Sequence, residues 1–224
     1  MQPEFWRDRW RTGQIGFHQS KVERYLEKYW RALGLANTPG LVNSNRVFVP
    51  LCGKTLDLTW LVDRGHAVAG VELSGAALES YCMENGILAR RRSGDGFEVY
   101  EAPNLRLYCG DFFELDPERL GPVSAVYDRA ALISWNSDLR AAYVAHMRKL
   151  TNSGTQTLLI TMEYPQSQMS GPPFSVSADD IERLYGQDHT IRELARQDVL
   201  ANEARLRARG VKELHEVCYH LTRR

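Results

Sequence analysis

Glu72 stands 19 residues beyond Gly53, and these two positions offer the first chemistry in the chain. An ionised carboxylate accepts two hydrogen bonds and so matches the vicinal diol of a ribose. A spacing of about 20 residues from a glycine turn is where an acid holding ribose hydroxyls falls. The competing reading is a surface glutamate before a capped helix. Gly53 itself allows a tight turn and close approach of backbone to ligand. The run Gly53-Lys54-Thr55 invites comparison with a phosphate loop, but the glycine needed five positions earlier is Phe48, so no backbone cradle for phosphates forms. Nor is there a Gly-x-Gly-x-x-Gly set, which weakens binding of a dinucleotide through its pyrophosphate. A single glycine turn followed by one acid suits a nucleoside without a pyrophosphate.

Other polar groups follow apolar runs. Gly110-Asp111-Phe112-Phe113 sets a carboxylate beside aromatics. It suits an adenine amino group and ring, or simply a turn with core phenylalanines. Asp128-Arg129-Ala130-Ala131 points a charged pair into a cleft, or pairs with itself. Glu163-Tyr164-Pro165 and Ser170-Gly171-Pro172-Pro173-Phe174 form a stiff, partly apolar stretch. Its prolines fix the backbone, as a wall for a flat substrate or only as a long connection. The histidines supply no metal set, and neither a nucleophile elbow nor a Ser-His-Asp order is present. The triplet Arg90-Arg91-Arg92 and the run Arg205-x-Arg207-x-Arg209 read as solvated surface.

The elements that must position these residues alternate. Val22, Tyr25, Leu26, Tyr29, Trp30 and Leu33 make one apolar helical stripe that docks on a core. Asn37-Thr38-Pro39-Gly40, continuing to Asn43-Ser44-Asn45, reads as a linker. Strands are expected at 47–51, 66–72, 105–109, 123–127 and 157–162, with further ones near His189–Leu194 and Glu216–Leu221. Helices are expected over Leu56–Val62, from a Ser74 cap to Asn85-Gly86, through Leu139–Leu150, and from a Ser177-x-x-Asp180 capping box. Residues 90–96 read as a surface excursion, and 97–101 as an added strand or hairpin arm. Strand and helix in alternation imply right-handed crossovers and a mostly parallel sheet, with ligands beyond the carboxyl ends of its strands.

Composition bounds the class. The 224 residues are 43% hydrophobic and 25% charged, and 28 Lys+Arg balance 28 Asp+Glu. That suits a soluble domain with a real core and argues against a basic nucleic-acid binder. No apolar run approaches the length of a membrane span. The N-terminus lacks the apolar stretch of a secretory signal. Four scattered cysteines (Cys52, Cys82, Cys109, Cys218) without a Cys-x-x-Cys pair suggest a reduced cytoplasmic setting.

Taken together, several stretches carry a resemblance. They are Phe5-Trp6 through Trp10, Gly13-Gln14-Ile15-Gly16-Phe17-His18, Val49-Pro50-Leu51-Cys52-Gly53-Lys54-Thr55-Leu56-Asp57-Leu58 and Gly70-Val71-Glu72-Leu73-Ser74. With them go Gly110-Asp111-Phe112-Phe113, Asp128-Arg129-Ala130-Ala131-Leu132, Glu163-Tyr164-Pro165 and Gly171-Pro172-Pro173-Phe174-Ser175-Val176. The chain resembles the bacterial thiopurine S-methyltransferases over nearly its whole length. The resemblance implies an α/β fold of the Rossmann-like class I methyltransferase type. That means a mostly parallel seven-stranded sheet, helices on both faces and an N-terminal helical lid. It implies one domain over 1–224, with 1–36 as arm and 46–224 as core.

The implied activity is transfer of a methyl group from S-adenosylmethionine to the sulfur of aromatic or heterocyclic thiols, with selenium or tellurium species as further acceptors. The implied cofactor contacts are Trp10, Leu51, Glu72 and Arg129, which join Gly53 and Asp111 from the reading above. Trp10 would face the sulfonium, and Arg129 would favour the anionic acceptor. Phe17, His18 and Pro172 would wall the acceptor. A small-molecule thiol is the expected partner, with no nucleic acid, no membrane and a monomeric state. Ser134-Trp135-Asn136 departs from the smaller apolar-then-proline stretch of the family and bears on the acceptor pocket. Two alternatives stay open at this point: a nicotinamide-dependent oxidoreductase on a similar sheet, and a non-catalytic nucleoside-binding protein.

Overall fold

Short apolar runs broken by glycine and polar turns lay out the chain, and a computed structural model describes residues 3–35 and 46–224. The proposed linker at Asn37–Gly40 and Asn43–Asn45 lies outside the described residues. The chain divides into two compact units, one ending at Tyr127 and the other beginning at Asp128.

In the first unit, helix α1 is Pro3–Arg11 and α2 is Arg24–Tyr29, which continues as a 3-10 turn over Trp30–Leu33. Glu23 caps α2 by accepting from the Tyr25 N–H. The predicted stripe docks: Tyr25, Leu26, Trp30 and Leu33 are buried, each worth about 1.5–3 kcal/mol against exposure. Polar ties fix its orientation. The Glu23 N–H and the Tyr127 hydroxyl both donate to buried Asp57, at 2.8 Å each. The Trp30 indole N–H donates to His66 Nε2 at 2.8 Å.

The unit continues with β1 (Arg46–Val49), α3 (Asp57–Asp63), β2 (Ala67–Glu72), α4 (Gly75–Glu84), β3 (Arg90–Gly94), β4 (Phe97–Ala102), β5 (Leu105–Cys109), α5 (Pro117–Leu120) and β6 (Ala125–Arg129), whose last two residues belong to the second unit. Strand order here is β3-β4-β5-β2-β1-β6. Strand β2 is buried from Val68 to Glu72, the near-continuous apolar run of a central parallel strand. It pairs parallel with β1 and β5, and β1 pairs parallel with β6.

The second unit holds α6 (Ser137–Leu150), β7 (Gln156–Glu163), α7 (Ala178–Tyr185), β8 (His189–Asp198), α8 (Ala204–Ala208) and β9 (His215–Arg223). Strand β9 runs antiparallel to both β7 and β8. The Ser177/Asp180 capping box forms as read. Among the described residues no helix is long and apolar enough to cross a membrane. All four cysteines are free thiols.

Four expectations need correction. Nine strands replace seven among the described residues, and the parallel pairings are confined to β5-β2-β1-β6. The supposed excursion at 90–96 is strand β3, antiparallel to β4. Its turn, Asp95-Gly96, has positive φ at both residues (49° and 82°), the two-residue geometry that closes a hairpin. Arginines keep this edge strand polar: Arg91 pairs with Glu79 and Arg92 with Glu101. Ser74 occupies the N-cap of α4, but its side chain caps nothing. The fourth core strand is shifted two residues onward, so Asp128 and Arg129 end β6 rather than follow it.

Candidate cofactor site

The turn after β1 is built from two left-handed residues flanking Cys52. Leu51 has φ 47° and Gly53 has φ 54°. The first is a non-glycine residue, at a cost of order 1–2 kcal/mol. Cys52 anchors the turn from below. Its N–H donates to the Val71 carbonyl at 2.9 Å. Its Sγ lies 2.8 Å from where a Cβ on Gly70 would stand, too close for any side chain there. Glycine inside a central strand weakens it, and here it makes the room that lets the turn lie against β2.

That turn meets Glu72 at the end of β2. The Gly53 N–H donates to one carboxylate oxygen at 2.9 Å, and the Ser74 N–H donates to the other at 2.9 Å. The Glu72 carbonyl accepts from the Gly110 N–H, also at 2.9 Å. The side chain is only 6% exposed. Burial pushes its pKa up, opposed by the backbone N–H groups of Ser74, Gly53 and Leu73. Each oxygen carries two lone pairs and spends at least one on these amides. Lone pairs beyond those held by backbone amides remain for ligand hydroxyls.

Trp10 completes the cluster from α1. A Cβ on Gly53 would lie 2.9 Å from Trp10 Cζ2 and 4.0 Å from Glu72 Oε2. The indole therefore covers the glycine and stands next to the acid. Phe17 meets Trp10 edge-on at 5.5 Å and Trp6 at 5.7 Å, which fixes the orientation of the ring. His18 is half-buried, with its N–H on the Ile15 carbonyl. Asp111 is exposed. One of its oxygens accepts from the Phe113 N–H at 2.9 Å and caps the 3-10 turn Phe112–Glu114. A Cβ on Gly110 would come within 2.5 Å of the Phe97 ring, so this turn is seated on an aromatic. Trp10, Leu51, Gly53 and Glu72 thus come together, and Gly110 ties the Asp111 turn to the same strand end.

The second unit holds the remaining candidates. Arg129 is half-buried at the end of β6. Beside it Asp128 is buried, accepting from the Tyr143 hydroxyl at 2.7 Å and the Leu132 N–H at 3.1 Å. Burial lifts its carboxyl to about 6 against these bonds. Ala130 then turns the chain at φ 63°. Trp135 lies tilted against Tyr143 at 6.2 Å. The half-buried Pro172 sits in a loop held by side chains. The Tyr164 hydroxyl donates to the Pro173 carbonyl, and Arg140 donates to that of Ser175, both at 2.6 Å. Sequence reasoning missed Gly70, the Ser74 amide and these loop braces. Only Gly70, a glycine inside an apolar strand, left a readable signal.

The donor set fits a nucleoside. A buried carboxylate held in place by backbone amides matches a ribose diol, and an indole suits a cation. No group of three or more metal-ligating side chains exists among the described residues.

A model of the thiopurine S-methyltransferase family matches residues 1–224. The chain belongs to that family. It is 44% identical to the thiopurine S-methyltransferase of Nitrosospira multiformis, covering 100% of this chain and 99% of that protein. It is 42% identical to the enzyme of that name from Methylococcus capsulatus, covering 99% and 97%. The fold is that of a Burkholderia thailandensis 1,6-didemethyltoxoflavin-N1-methyltransferase solved with S-adenosylhomocysteine. The TM-score is 0.61 at 14% identity, covering 99% of this chain and 87% of that one. It is also that of the magnesium protoporphyrin IX methyltransferase of Synechocystis PCC 6803, with TM-score 0.62 at 12% identity, covering 98% and 99%. Membership in the thiopurine S-methyltransferase family makes the chain an S-adenosylmethionine-dependent methyltransferase. The nicotinamide and non-catalytic alternatives are not favoured.

Proposed function

We propose that the enzyme methylates the sulfur of aromatic and heterocyclic thiols, thiopurines among them, and that Glu72 is its ribose ligand. The observation that carries the donor side is the Glu72 carboxylate, fixed by the Gly53 and Ser74 amides under the Trp10 ring. The thiol acceptor is supported by what the relatives are named for. S-adenosylmethionine, when bound, supplies a methyl group already activated on a sulfonium.

The residues have distinct tasks in this reading. Glu72 accepts from the ribose hydroxyls. Trp10 lays its face toward the positive charge and keeps water off it. Leu51 contributes backbone contact, and Gly53 keeps the ground clear. Asp111 takes the adenine amino group with the carboxylate oxygen that Phe113 leaves free. Arg129 lowers the pKa of a neighbouring thiol, because a fixed positive charge favours the anion; the thiolate is the better nucleophile. Phe17, His18 and Pro172 wall the acceptor. In-line displacement needs the reactants aligned at about 3–3.5 Å, so holding them is the main work and no dedicated base is assigned. The chain acts as one methyltransferase domain with an N-terminal lid, as a monomer, in the cytoplasm.

A screen with radiolabelled methyl donor tests this, using aromatic thiols, aliphatic thiols and selenium or tellurium oxyanions as separate arms. Label on aromatic thiols is expected. A donor that binds while no thiol takes label would leave a nucleoside-binding protein instead.

A further inference from the structure

We propose that Arg209 is a positioning residue for the acceptor wall. This rests on the reading of the Pro172 loop as part of that wall. The loop has an unusual hydrogen-bonding problem. Across Gly171-Pro172-Pro173 there are three carbonyls but only one backbone N–H, since proline donates none. Gly171 turns at φ 81°, and the Phe174 ring packs where a side chain on it would stand. These carbonyls must find donors outside the loop.

Arg209 supplies them. Its Nη1 donates to the Pro172 carbonyl at 2.7 Å and its Nη2 to the Gly171 carbonyl at 3.1 Å. A planar guanidinium can fork across two successive carbonyls, which an ammonium cannot do in the same geometry. A second observation comes from the same segment. The Lys212 N–H donates to Gln168 Oε1 at 2.7 Å, so residues 209–212 brace the loop at two places. The Tyr164 and Arg140 bonds hold the far side. The Phe174 N–H reaches the Ile133 carbonyl, and the Ser175 N–H reaches Gln166.

Arg209 is exposed, and solvated polar contacts add little to global stability. Its loss therefore shows in where the loop sits rather than in whether the chain folds. The run read from sequence as solvated surface hides one arginine with a fixed task.

The test compares Arg209→Ala and Arg209→Lys with the wild type, using S-adenosylmethionine as donor and 6-mercaptopurine as acceptor. In Arg209→Ala the acceptor KM should rise roughly five- to tenfold, with kcat changed less than about twofold and donor Kd unchanged. Arg209→Lys should fall between. Hydrogen exchange at the Phe174 and Ser175 amides should quicken in Arg209→Ala. In the wild type, saturating acceptor should slow exchange at the same amides. Unaltered exchange in Arg209→Ala overturns the proposal. Faster exchange with an unmoved KM overturns it too, but leaves the loop reading intact if acceptor still protects the wild-type amides. Without that protection the acceptor-wall reading falls as well. A KM and a donor Kd that worsen together mean general loosening, which also overturns it. Should Arg209→Ala fail to fold, the same readings are taken on Arg209→Lys.

Discussion

Glu72 spends one lone pair of each oxygen on a backbone amide, and that sharing decides how its substitution behaves. A glutamine there keeps the shape but turns an NH2 toward either the Gly53 or the Ser74 N–H. Two donors then face each other in a buried place. Glu72→Gln and Glu72→Ala should both weaken donor binding by about tenfold or more, the roughly 1.4 kcal/mol of one charge-assisted bond. Calorimetry showing unchanged affinity removes Glu72 from the ribose role. Asp128 makes a different argument, through pH. Burial lifts its carboxyl to about 6, above the roughly 3.9 of an unfolded aspartate. A raised folded value means the stability present at low pH is lost as pH rises through 6, on the order of 3 kcal/mol in all. Asn at this position can still accept from Leu132 and meet the Tyr143 oxygen, with no charge to bury. Urea unfolding should therefore show Asp128→Asn gaining on the wild type between pH 4 and about 7. A difference constant across that range would mean Asp128 does not titrate there.

Helix α1 and the turn after β1 meet where the Trp10 ring covers Gly53, which makes their coupling measurable. Gly53→Ala places a methyl 2.9 Å from Trp10 Cζ2 and holds alanine at a positive φ, a strain of order 1 kcal/mol. Trp10→Ala removes the ring. Each should lower donor affinity. The pair should be less than additive, because the methyl has nothing to strike once the ring is gone. Full additivity by calorimetry would show that α1 does not rest on the turn in solution. Gly70→Ala acts one layer down, against Cys52 Sγ at 2.8 Å and a Leu107 methyl carbon at 2.9 Å. It should destabilise the chain by about 1–3 kcal/mol and disturb Leu51 and Gly53 with it. The apolar strands and the α2 stripe were legible because burial imposes periods of 2 and 3.6 on side chains. Strand β3 was not, since an exposed edge places no apolar demand on Arg90-Arg91-Arg92. Its Asp95-Gly96 turn was the signal that outweighed the flanks. The shift of β6 was unreadable for a related reason: buried Asp128 takes its partners from Leu132 and Tyr143, the latter 15 residues away.

At the scale of the molecule, strand–helix alternation gave away the class, because parallel neighbours need crossovers. The antiparallel β7-β9-β8 group is legible as strands but not as pairings, since the β7–β9 register depends on contacts between residues more than 50 apart in sequence. The site divided in the same way. Glu72 and Gly53 showed themselves by spacing, whereas the Trp10 contact needs a helix folded back across 43 residues. Trp10, Leu51, Gly53, Glu72 and Asp111 all fall in the unit that ends at Tyr127, so a bound donor should stabilise the chain through that unit. At a hundred times its Kd, a ligand that binds only the folded state adds about 2.7 kcal/mol. For a chain of this size that raises Tm by roughly 5–10 °C. S-adenosylmethionine should produce this shift, and a nicotinamide dinucleotide at equal concentration should not. Glu72→Ala should lose the shift at the same ligand concentration, and regain it only as ligand is raised in proportion to the lost affinity. For a monomer the shift is also independent of protein concentration. A dinucleotide that stabilises as well as S-adenosylmethionine, or a Glu72→Ala variant that melts with the full shift, would break the link between the Gly53–Glu72 clamp and the adenosyl group.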